Sequence, residues 1–200
     1  MLQKSENSVK IYSDAFYVII KFREDETMQN PPIEIERKYI VRKPNESEIS
    51  LADGYSRSEI LQIYLNSPPG VTHRIRMRKF DNGTSYTETV KRRIDRISAY
   101  EDEHEISEEE FKLLRKNKKQ RTRPVNKVRH TFSYLGKTFE LDVYPHWRRT
   151  CIMEVELSDR SEPVALPPFI RVIKEVTGDK CYSNASMSRE FPKESDEGNA

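Results

Sequence analysis

The sequence is poor in the residues that hold metals through sulfur or imidazole, with two cysteines and four histidines in 200 residues. Cys151 and Cys181 are far apart and form no CxxC or Cys/His spacing, which predicts reduced thiols and argues against a zinc site. The histidines, which show no HxxxH pattern, are His73, His104, His130 and His146. No GxxxxGK[ST] loop is present, which excludes a P-loop enzyme, and no Ser/His/Asp or Cys/His nucleophile is apparent.

Long apolar runs are also missing. The stretch IYSDAFYVII at 11–20 is too short for a membrane span or a signal peptide, and Ser13 and Asp14 interrupt it. The formal net charge of +2 does not mark the whole chain as a binder of nucleic acid or of a membrane surface. Together with the reduced thiols, these features predict a cytoplasmic protein with no membrane partner.

Apolar residues make up only 35% of the chain and charged residues 34%. That is a low apolar share for a chain long enough to bury a core as one domain. Disorder would explain it, but ten tyrosines, eight phenylalanines and many short β-branched runs argue against disorder. The other explanation is a fold in which charged residues line an interior as well as a surface.

From residue 33 onward, eight segments have the pattern of β-strands. They cover residues 33–42, 60–65, 72–80, 85–92, 99–107, 127–134, 137–144 and 151–158. An Asn-Gly pair at 82–83 and Gly136 predict hairpin turns. Two helices are predicted, one over 107–116 with a Ser107–Glu110 capping box and one over 167–178 between prolines and a glycine. Eight strands with few helices predict a mainly β (α+β) domain, an eight-stranded closed antiparallel barrel with a few covering helices.

The first strand, IEIERKYIV at 33–41, alternates charged and apolar residues. Successive side chains of a strand point to opposite faces, so Glu34, Glu36 and Lys38 share one face. The apolar side chains share the other face with Arg37. Which of the two faces is the inside decides what the protein does.

The later strands separate their charges in the same way. Carboxylates pair on one face at Glu103 and Glu105, at Glu140 and Asp142, and at Glu154 and Glu156, whereas Arg74, Arg76 and Arg78 share a face of the third strand. A sandwich would turn such faces to water, and this solvated-face interpretation stays open for each strand alone. The sorting into blocks favours a charged interior, because paired carboxylates suit a hard divalent cation and Arg and Lys bind polyphosphate oxygens.

The residues also resemble a known family. EIERK at 34–38 is similar to the ExExK signature of the CYTH superfamily, the triphosphate tunnel metalloenzymes. Later segments resemble the strands of that family in its order: RIRMR, TETVKR, EDEHEIS, KVRHTFSYLGKTFELDVY, MEVEL and VTGDKCYSN. The resemblance covers residues 33–187 and predicts a tunnel domain there. Residues 1–32 are then an N-terminal extension and residues 188–200 a polar C-terminal tail.

The resemblance implies a tunnel that binds a triphosphate together with one or two Mg²⁺ or Mn²⁺ ions. Carried over by position, the metal ligands would be Glu34, Glu36, Glu154 and Glu156. The phosphates would be bound by Lys38, Arg74, Arg76, Lys91, Arg129 and Lys180. For Lys180, a solvated lysine in a loop is an equally open interpretation. Catalytic roles would fall to Lys38 and to three carboxylates that orient basic groups or a water, Glu103, Glu105 and Asp142. Further candidates of the same parity are Arg78, Arg93 and Glu140.

The substrate is the least specified part of this prediction. Members of the family hydrolyse inorganic triphosphate, thiamine triphosphate or RNA 5′-triphosphate ends, and some, the class IV-type adenylate cyclases, cyclise ATP to cyclic AMP. No feature of this sequence specifies an adenine or thiamine pocket, so inorganic triphosphate is predicted first and organic triphosphates second. The partner is then a small molecule, and a homodimer is a further expectation.

A non-enzymatic alternative rests on two basic runs, KRRIDR at 91–96 and KNKKQRTR at 116–123. They are typical of an RNA-binding module that uses a barrel face. Nucleic-acid binding does not call for carboxylate pairs between the basic strands, which argues against this alternative. A tunnel that only senses triphosphates is the other non-enzymatic interpretation.

Overall fold

The computed structural model describes residues 33–194, and the predicted extension, residues 1–32, lies outside the described residues. The strands are β1 (Ile33–Arg42), β2 (Asp53–Tyr64), β3 (Val71–Phe80), β4 (Gly83–Arg93), β5 (Ser98–Glu105), β6 (Val125–Tyr134), β7 (Lys137–Val143), β8 (Thr150–Glu156) and β9 (Val172–Glu175). The α-helices are α1 (Glu46–Ile49), α2 (Glu108–Leu114) and α3 (Asn184–Met187). Two 3₁₀ turns span Arg115–Asn117 and Lys180–Tyr182.

Strands β1 to β8 form a closed antiparallel barrel, which confirms the predicted mainly β fold. Their order is β5-β4-β3-β2-β6-β7-β8-β1. The barrel closes through β1, because residues 33–35 pair with β5 and residues 36–42 pair with β8. One strand thus joins both edges of the sheet, so that its edge hydrogen-bonding groups are used within the barrel.

The two predicted hairpin turns are confirmed. Phe80 pairs with Gly83 across the β3–β4 turn, and Tyr134 pairs with Lys137 across the β6–β7 turn. In the second turn Leu135 and Gly136 both have positive φ, 48° and 76°. Two consecutive residues of this kind match the right-handed twist of the flanking strands, which is why the turn needs only two residues.

The helix predicted over 167–178 is wrong. Val172–Glu175 is instead the short strand β9, which pairs with residues 39–41 on the outside of the barrel closure. Its β-branched residues favour an extended backbone, and β1 offers that backbone hydrogen-bonding partners. Gly178, expected to end a helix, has φ +72° and approaches so closely that a Cβ there would lie 2.9 Å from the Arg96 carbonyl oxygen. The glycine therefore marks a tight packing contact.

The helix predicted over 107–116 is confirmed as α2, followed by a 3₁₀ turn. Its capping box is formed: the Glu110 amide donates to Ser107 Oγ at 3.2 Å, and the Ser107 amide donates to Glu110 Oε2 at 2.7 Å. Phe111 of this helix is buried against Ile63 and Ile75 on the outer face of β2 and β3. The helix covers apolar side chains that the barrel turns outward.

A larger apolar cluster lies on the outer face of β6, β7, β8 and β1. Phe132, Phe139, Leu141 and Met153 are completely buried there. Their cover comes from helix α1 and from partly buried residues between 164 and 170. The hydrophobic core thus lies outside the barrel wall and beneath its covering segments. None of the described helices is long and apolar enough to cross a membrane.

A third apolar cluster fills one end of the barrel. Tyr144, Trp147 and Ile152 pack there with Met187 of helix α3. Residues 188–194, which belong to the predicted polar tail, pack against this end: the Phe191 ring lies 5.3 Å from the Tyr144 ring. The interior is therefore apolar at this end and charged in the remainder.

Candidate active site

The interior of the barrel contains a cavity of about 440 Å³. Every barrel strand contributes at least one side chain to its wall, and residues 180–186 complete it. The charged lining residues are Glu34, Glu36, Lys38, Arg74, Arg76, Arg78, Lys91, Arg93, Glu101, Glu103, Arg129, Glu140, Glu154, Glu156 and Lys180. The charged faces of the strands are thus the inside, and the solvated-face interpretation is wrong for this barrel.

All predicted site residues line this cavity except Glu105 and Asp142. The additional candidates Arg78, Arg93 and Glu140 line it as well. Arg37, on the opposite face of β1, does not; its Nη2 donates to the Arg160 carbonyl oxygen at 3.4 Å. The alternation of the strands therefore brought these side chains together, with Lys180, which is on no strand, as the exception.

Strand β3 supplies three arginines to one wall of the cavity, Arg74, Arg76 and Arg78. The Nε atom of each is buried and has no hydrogen-bond partner among the described residues. Burial, followed by the positive charges of Arg74 and Arg129, lowers the pKa of Arg76 to about 10. Unpaired buried donors are costly. This wall therefore combines three positive charges with buried donors that an anion with several oxygens could satisfy.

Carboxylates of β5 hold the arginine wall in place. Arg74 Nη2 donates to Glu101 Oε1 at 2.8 Å. Glu103 lies 3.6 Å from Arg74 and 3.7 Å from Arg76, and it accepts a hydrogen bond of 2.6 Å from Thr89. These contacts fix the direction of the Arg74 and Arg76 guanidinium groups, and both side chains line the cavity.

Lys91 of β4 connects the carboxylates of β1 and β5. Its Nζ lies 2.9 Å from Glu34 Oε2 and 2.7 Å from Glu101 Oε2. Burial raises the pKa of Glu34 to about 7, although Lys91 opposes this. Burial also disfavours the charge of Glu101, but Arg74 and Lys91 outweigh it and lower its pKa to about 2. Of the two carboxyls that share one lysine, Glu101 is held charged by its neighbours, and a further cation would favour the charged form of Glu34.

Strands β1, β6 and β8 meet at Lys38, Arg129 and Glu154. Lys38 Nζ lies 2.7 Å from Glu154 Oε1, and Arg129 Nη2 donates to Glu154 Oε2 at 3.1 Å. Burial disfavours the charge of Glu154, but Lys38 and Arg129 hold its pKa well below its usual range. Glu154 is therefore a carboxylate fixed between two cations.

Asp142 lies behind Arg129 and outside the cavity wall, and its side chain is completely buried. It accepts hydrogen bonds of 2.7 Å from both Nε and Nη2 of Arg129. Lys127 Nζ contacts the same carboxylate at 2.5 Å. Burial, and then the charge of Arg129, lowers the pKa of Lys127 to about 8. The bidentate pair orients Arg129, so Asp142 acts on the cavity through another residue.

A block of carboxylates lies on β1, β7 and β8. Glu36 is opposite Glu156, and Glu140 is opposite Glu154. Burial and the neighbouring charges of Glu140 and Glu36 raise the pKa of Glu156. Within residues 33–194 Glu156 forms no ion pair, and the charge of Lys91 offsets the repulsion only in part. A cation at this block would relieve the repulsion.

As they stand, no three Asp, Glu, His or Cys side chains of the described region converge closely enough to hold a metal ion. The chemistry of the donors nevertheless fits a hard divalent cation, because carboxylate oxygens are the ligands that Mg²⁺ and Mn²⁺ take. The raised pKa of Glu156 agrees with this fit. The predicted ligands Glu34, Glu36, Glu154 and Glu156 all line the cavity, and their role as a metal site stays a prediction.

Besides Asp142, two predicted residues differ in position from the rest. Glu105 is exposed at the end of β5, opposite Thr87, and does not line the cavity. Lys180 lines it, but from a 3₁₀ turn and with an exposed side chain. The turn is held by Asp179, whose side chain accepts from the Cys181 amide at 3.0 Å.

Sequence reasoning missed Glu101, Lys127 and Tyr64. Glu101 has the parity of Glu103, and Lys127 has the parity of Arg129, so the alternation alone would have found both. Tyr64 gave no such signal, because an aromatic residue in a strand is typical of a core. It lines the cavity, and its hydroxyl oxygen accepts from Gln62 Nε2 at 2.6 Å.

The family of this chain follows from a comparison with known proteins. The CYTH domain family model matches residues 32–172. The chain therefore belongs to the CYTH family, as the resemblance of EIERK and the later strands predicted. No curated protein matches the chain.

Solved structures are similar over most of the chain. The crystal structure of the inorganic triphosphatase NE1496 is 27% identical with a TM-score of 0.52, covering 82% of this chain and 99% of that one. A second crystal structure, of the hypothetical protein NE1496, is 29% identical with a TM-score of 0.50, covering 80% and 99%. The PH1819 protein from Pyrococcus horikoshii OT3 is 25% identical with a TM-score of 0.46, covering 64% and 80%. The NE1496 structures support the same barrel fold.

Proposed function

We propose that this CYTH-family protein is a metal-dependent triphosphatase that binds and hydrolyses inorganic triphosphate in the charged cavity. The observation that carries the proposal is that two walls face one cavity. One is a wall of arginines whose buried Nε donors have no partner within residues 33–194, and the other is a block of carboxylates in which burial and like charges raise the pKa of Glu156. An anion with many oxygens would accept hydrogen bonds from the arginine wall, and a divalent cation would relieve the repulsion among the carboxylates. An apolar ligand would do neither.

The choice of inorganic triphosphate is supported by the lining of the cavity. Tyr64 is its one aromatic side chain within the described region, and the rest of the wall is mostly charged or hydroxyl-bearing. A purine or a thiamine ring would find little apolar surface there. The inorganic triphosphatase NE1496, similar over most of this chain, supports the same choice.

In this proposal the basic residues bind the phosphate oxygens. Arginine suits two oxygens at once and lysine acts as a point charge, so the charged groups would bind the triphosphate along its length. The binding residues are Lys38, Arg74, Arg76, Lys91, Arg129 and Lys180. Phosphoryl transfer depends mainly on such positioning and on the neutralisation of oxygen charge.

Mg²⁺ or Mn²⁺ would be held by Glu34, Glu36, Glu154 and Glu156. When bound, the ion supplies neutralisation of phosphate charge and a lower pKa for water. Asp142 keeps Arg129 oriented through its bidentate contact, and Glu103 does the same for Arg74 and Arg76. Asp142 and Glu103 thus hold the arginine side chains at fixed positions before the substrate binds, which lowers the free-energy cost of reorganising the site during the reaction.

The experiment that tests the proposed function is a substrate panel. The protein is incubated with inorganic triphosphate, thiamine triphosphate, ATP and an RNA with a 5′-triphosphate, each with Mg²⁺ and with Mn²⁺. Released phosphate and cyclic AMP are measured. Fast, EDTA-sensitive release from inorganic triphosphate is expected. Cyclic AMP as the main product, or binding without turnover of any of the four, would contradict the proposal.

The metal set is tested by Glu36→Gln, which keeps the shape of the side chain and removes a charged oxygen. Turnover of triphosphate should fall by at least about a hundredfold, the scale of losing one group that stabilises the transition state. The matched control is Glu109→Gln on the exposed side of helix α2. Full activity of the Glu36→Gln protein would show that this carboxylate does not hold the metal.

A further inference from the structure

The outer face of the barrel carries a second cavity, a groove of about 630 Å³ that the proposed function does not use. It lies over β3, β2, β6 and β7, and the turn at 144–148 forms one end. Leu61 and Met77 border the cluster covered by helix α2, and Val143 borders the cluster covered by α1 and residues 164–170. The groove is thus the part of the outer face between the two covers.

The walls of this groove are apolar. Leu61 pairs with Met77 across β2 and β3, and Val128 pairs with Val143 across β6 and β7. All four are half-buried, and the nearly buried Trp147 closes the end. Apolar surface gathered in a concave site of this volume is typical of a ligand pocket.

The rim of the groove is positively charged. Lys43, Lys79 and Arg148 line it with exposed side chains, and none of them forms an ion pair with the described residues. Its single acidic lining residue, Glu59, is opposite Lys79 in the β2–β3 register, and its ion pair is with Arg57, 3.4 Å away and outside the groove. Three unpaired cations around an apolar floor complement a negative charge on an apolar body.

We propose that this groove is a binding site for a free monocarboxylate with an apolar chain. The chain would lie on the walls formed by Leu61, Met77, Val128 and Val143, and the carboxylate would face Lys79 and Arg148 at the rim. Burial of the ligand's apolar chain supplies the affinity, and the positive side chains at the rim favour a ligand with a negative charge. The site is separate from the charged cavity and needs no turnover to be observed.

Isothermal titration of the full-length protein with hexanoate, octanoate and decanoate tests the site. One molecule should bind per chain, and the Kd should tighten about fourfold for each added methylene. Decylammonium, which has the same chain and the opposite charge, should bind at least about tenfold more weakly than decanoate. Absence of saturable decanoate binding, or equal binding of the two amphiphiles, would overturn the proposal.

The location is tested by the double variant Lys79→Glu/Arg148→Glu. Decanoate binding should weaken at least about tenfold and decylammonium binding should improve. The control Arg171→Glu/Lys174→Glu reverses the same number of exposed charges around β9, away from the groove, and should leave both affinities unchanged. Equal loss in the two double variants would place the site elsewhere. A dimer in sedimentation that the first double variant splits, without decanoate binding, would assign the groove to a second copy and overturn the proposal.

Discussion

The inner and outer faces of the barrel are made from alternate residues of the same strands, yet their side chains have different environments. The outer side chains are buried by apolar packing, and the inner ones are charged and depend on ion pairs. On β8, Met153 and Val155 face outward and are almost completely buried beneath covering residues. Their neighbours Glu154 and Glu156 face the cavity, where one is held by two cations and the other is opposed by like charges. Most of the apolar outer face is covered by other parts of the protein. On the inner face, the Nε atoms of three cavity arginines have no hydrogen-bond partner within residues 33–194.

This difference assigns stability and function to opposite sides of one sheet. A fully buried apolar side chain contributes about 1.5 to 3 kcal/mol to folding. Charges taken out of water cost free energy unless they are well paired, and several polar atoms of the cavity have no hydrogen-bond partner within residues 33–194. The fold therefore depends on its outside, and the inside should gain stability only when an anion and a cation enter.

The largest expected effect is on the outer face. Leu141→Ala removes a completely buried side chain from the apolar cluster and should lower the free energy of unfolding by about 2 to 5 kcal/mol. Thermal denaturation measures it, with Leu51→Ala as the control because Leu51 is 87% exposed. The KM for triphosphate should not change at a temperature where the variant is folded. A changed KM would mean that the two faces are not separable.

The next effect is on the inner face. Arg76→Ala should weaken triphosphate binding roughly ten- to hundredfold, since a hydrogen bond to a charged group is worth about 1.5 to 3 kcal/mol. Arg37→Ala removes the same charge from the outward side of β1 and should change the affinity less than about twofold. Titration calorimetry with triphosphate and Ca²⁺ compares them. Equal losses would break the distinction between the faces.

The smallest effect concerns pH. Burial raises the pKa of Glu34 from 4.5 to about 7, so the native state binds this proton more tightly than the unfolded chain. The stability contribution is then fully present below pH 4.5 and is lost as pH rises through about 7. Since the Glu34 side chain is 35% exposed, solvent screens the effect to roughly 2 to 4 °C.

Melting of the ligand-free protein between pH 5 and pH 8 measures this contribution. The decline with rising pH should be smaller in the Glu34→Gln protein than in the parent. It should not vanish, because the pKa of Glu156 is also raised and its proton acts in the same direction. An unchanged decline in the variant would show that Glu34 is well solvated in the empty cavity.

Most strands and most cavity residues were predictable because side chains alternate between the two faces of a strand. The second strand was predicted only over 60–65, whereas β2 begins at Asp53. Alternation placed Glu34, Glu36 and Lys38 on one face, and the hairpin turns set the pairing of β3 with β4 and of β6 with β7. The inward direction followed from charges sorted into blocks, which a water-facing surface does not require. The same alternation places Glu101 on the face of Glu103 and Lys127 on the face of Arg129, so both residues could have been predicted although they were missed.

Three features were not predictable from the sequence: the strand β9, the position of Asp142 and the apolar cluster at one end of the barrel. Each depends on contacts between residues far apart in the chain, which local sequence patterns do not indicate. The prolines and glycine around 167–178 are typical of helix ends, but the strand β9 forms because β1 offers a backbone to pair with. Asp142 has the parity of a cavity residue, yet Arg129 stands in front of it and takes both of its oxygens. The alternation also carried no sign that an apolar cluster fills one end of the barrel.

The central claim is that the inner face is incomplete until a triphosphate and a metal enter. The direct measurement is the melting temperature of the full-length protein with triphosphate and Ca²⁺, taken as a non-productive ion, against orthophosphate and Ca²⁺. At a thousand times its Kd the ligand stabilises the fold by about 4 kcal/mol, which is roughly 8 to 16 °C for a chain of this size. A shift of that size with triphosphate, and a far smaller one with orthophosphate, is predicted. An unchanged melting temperature at saturating triphosphate and metal, in folded protein, would contradict the claim.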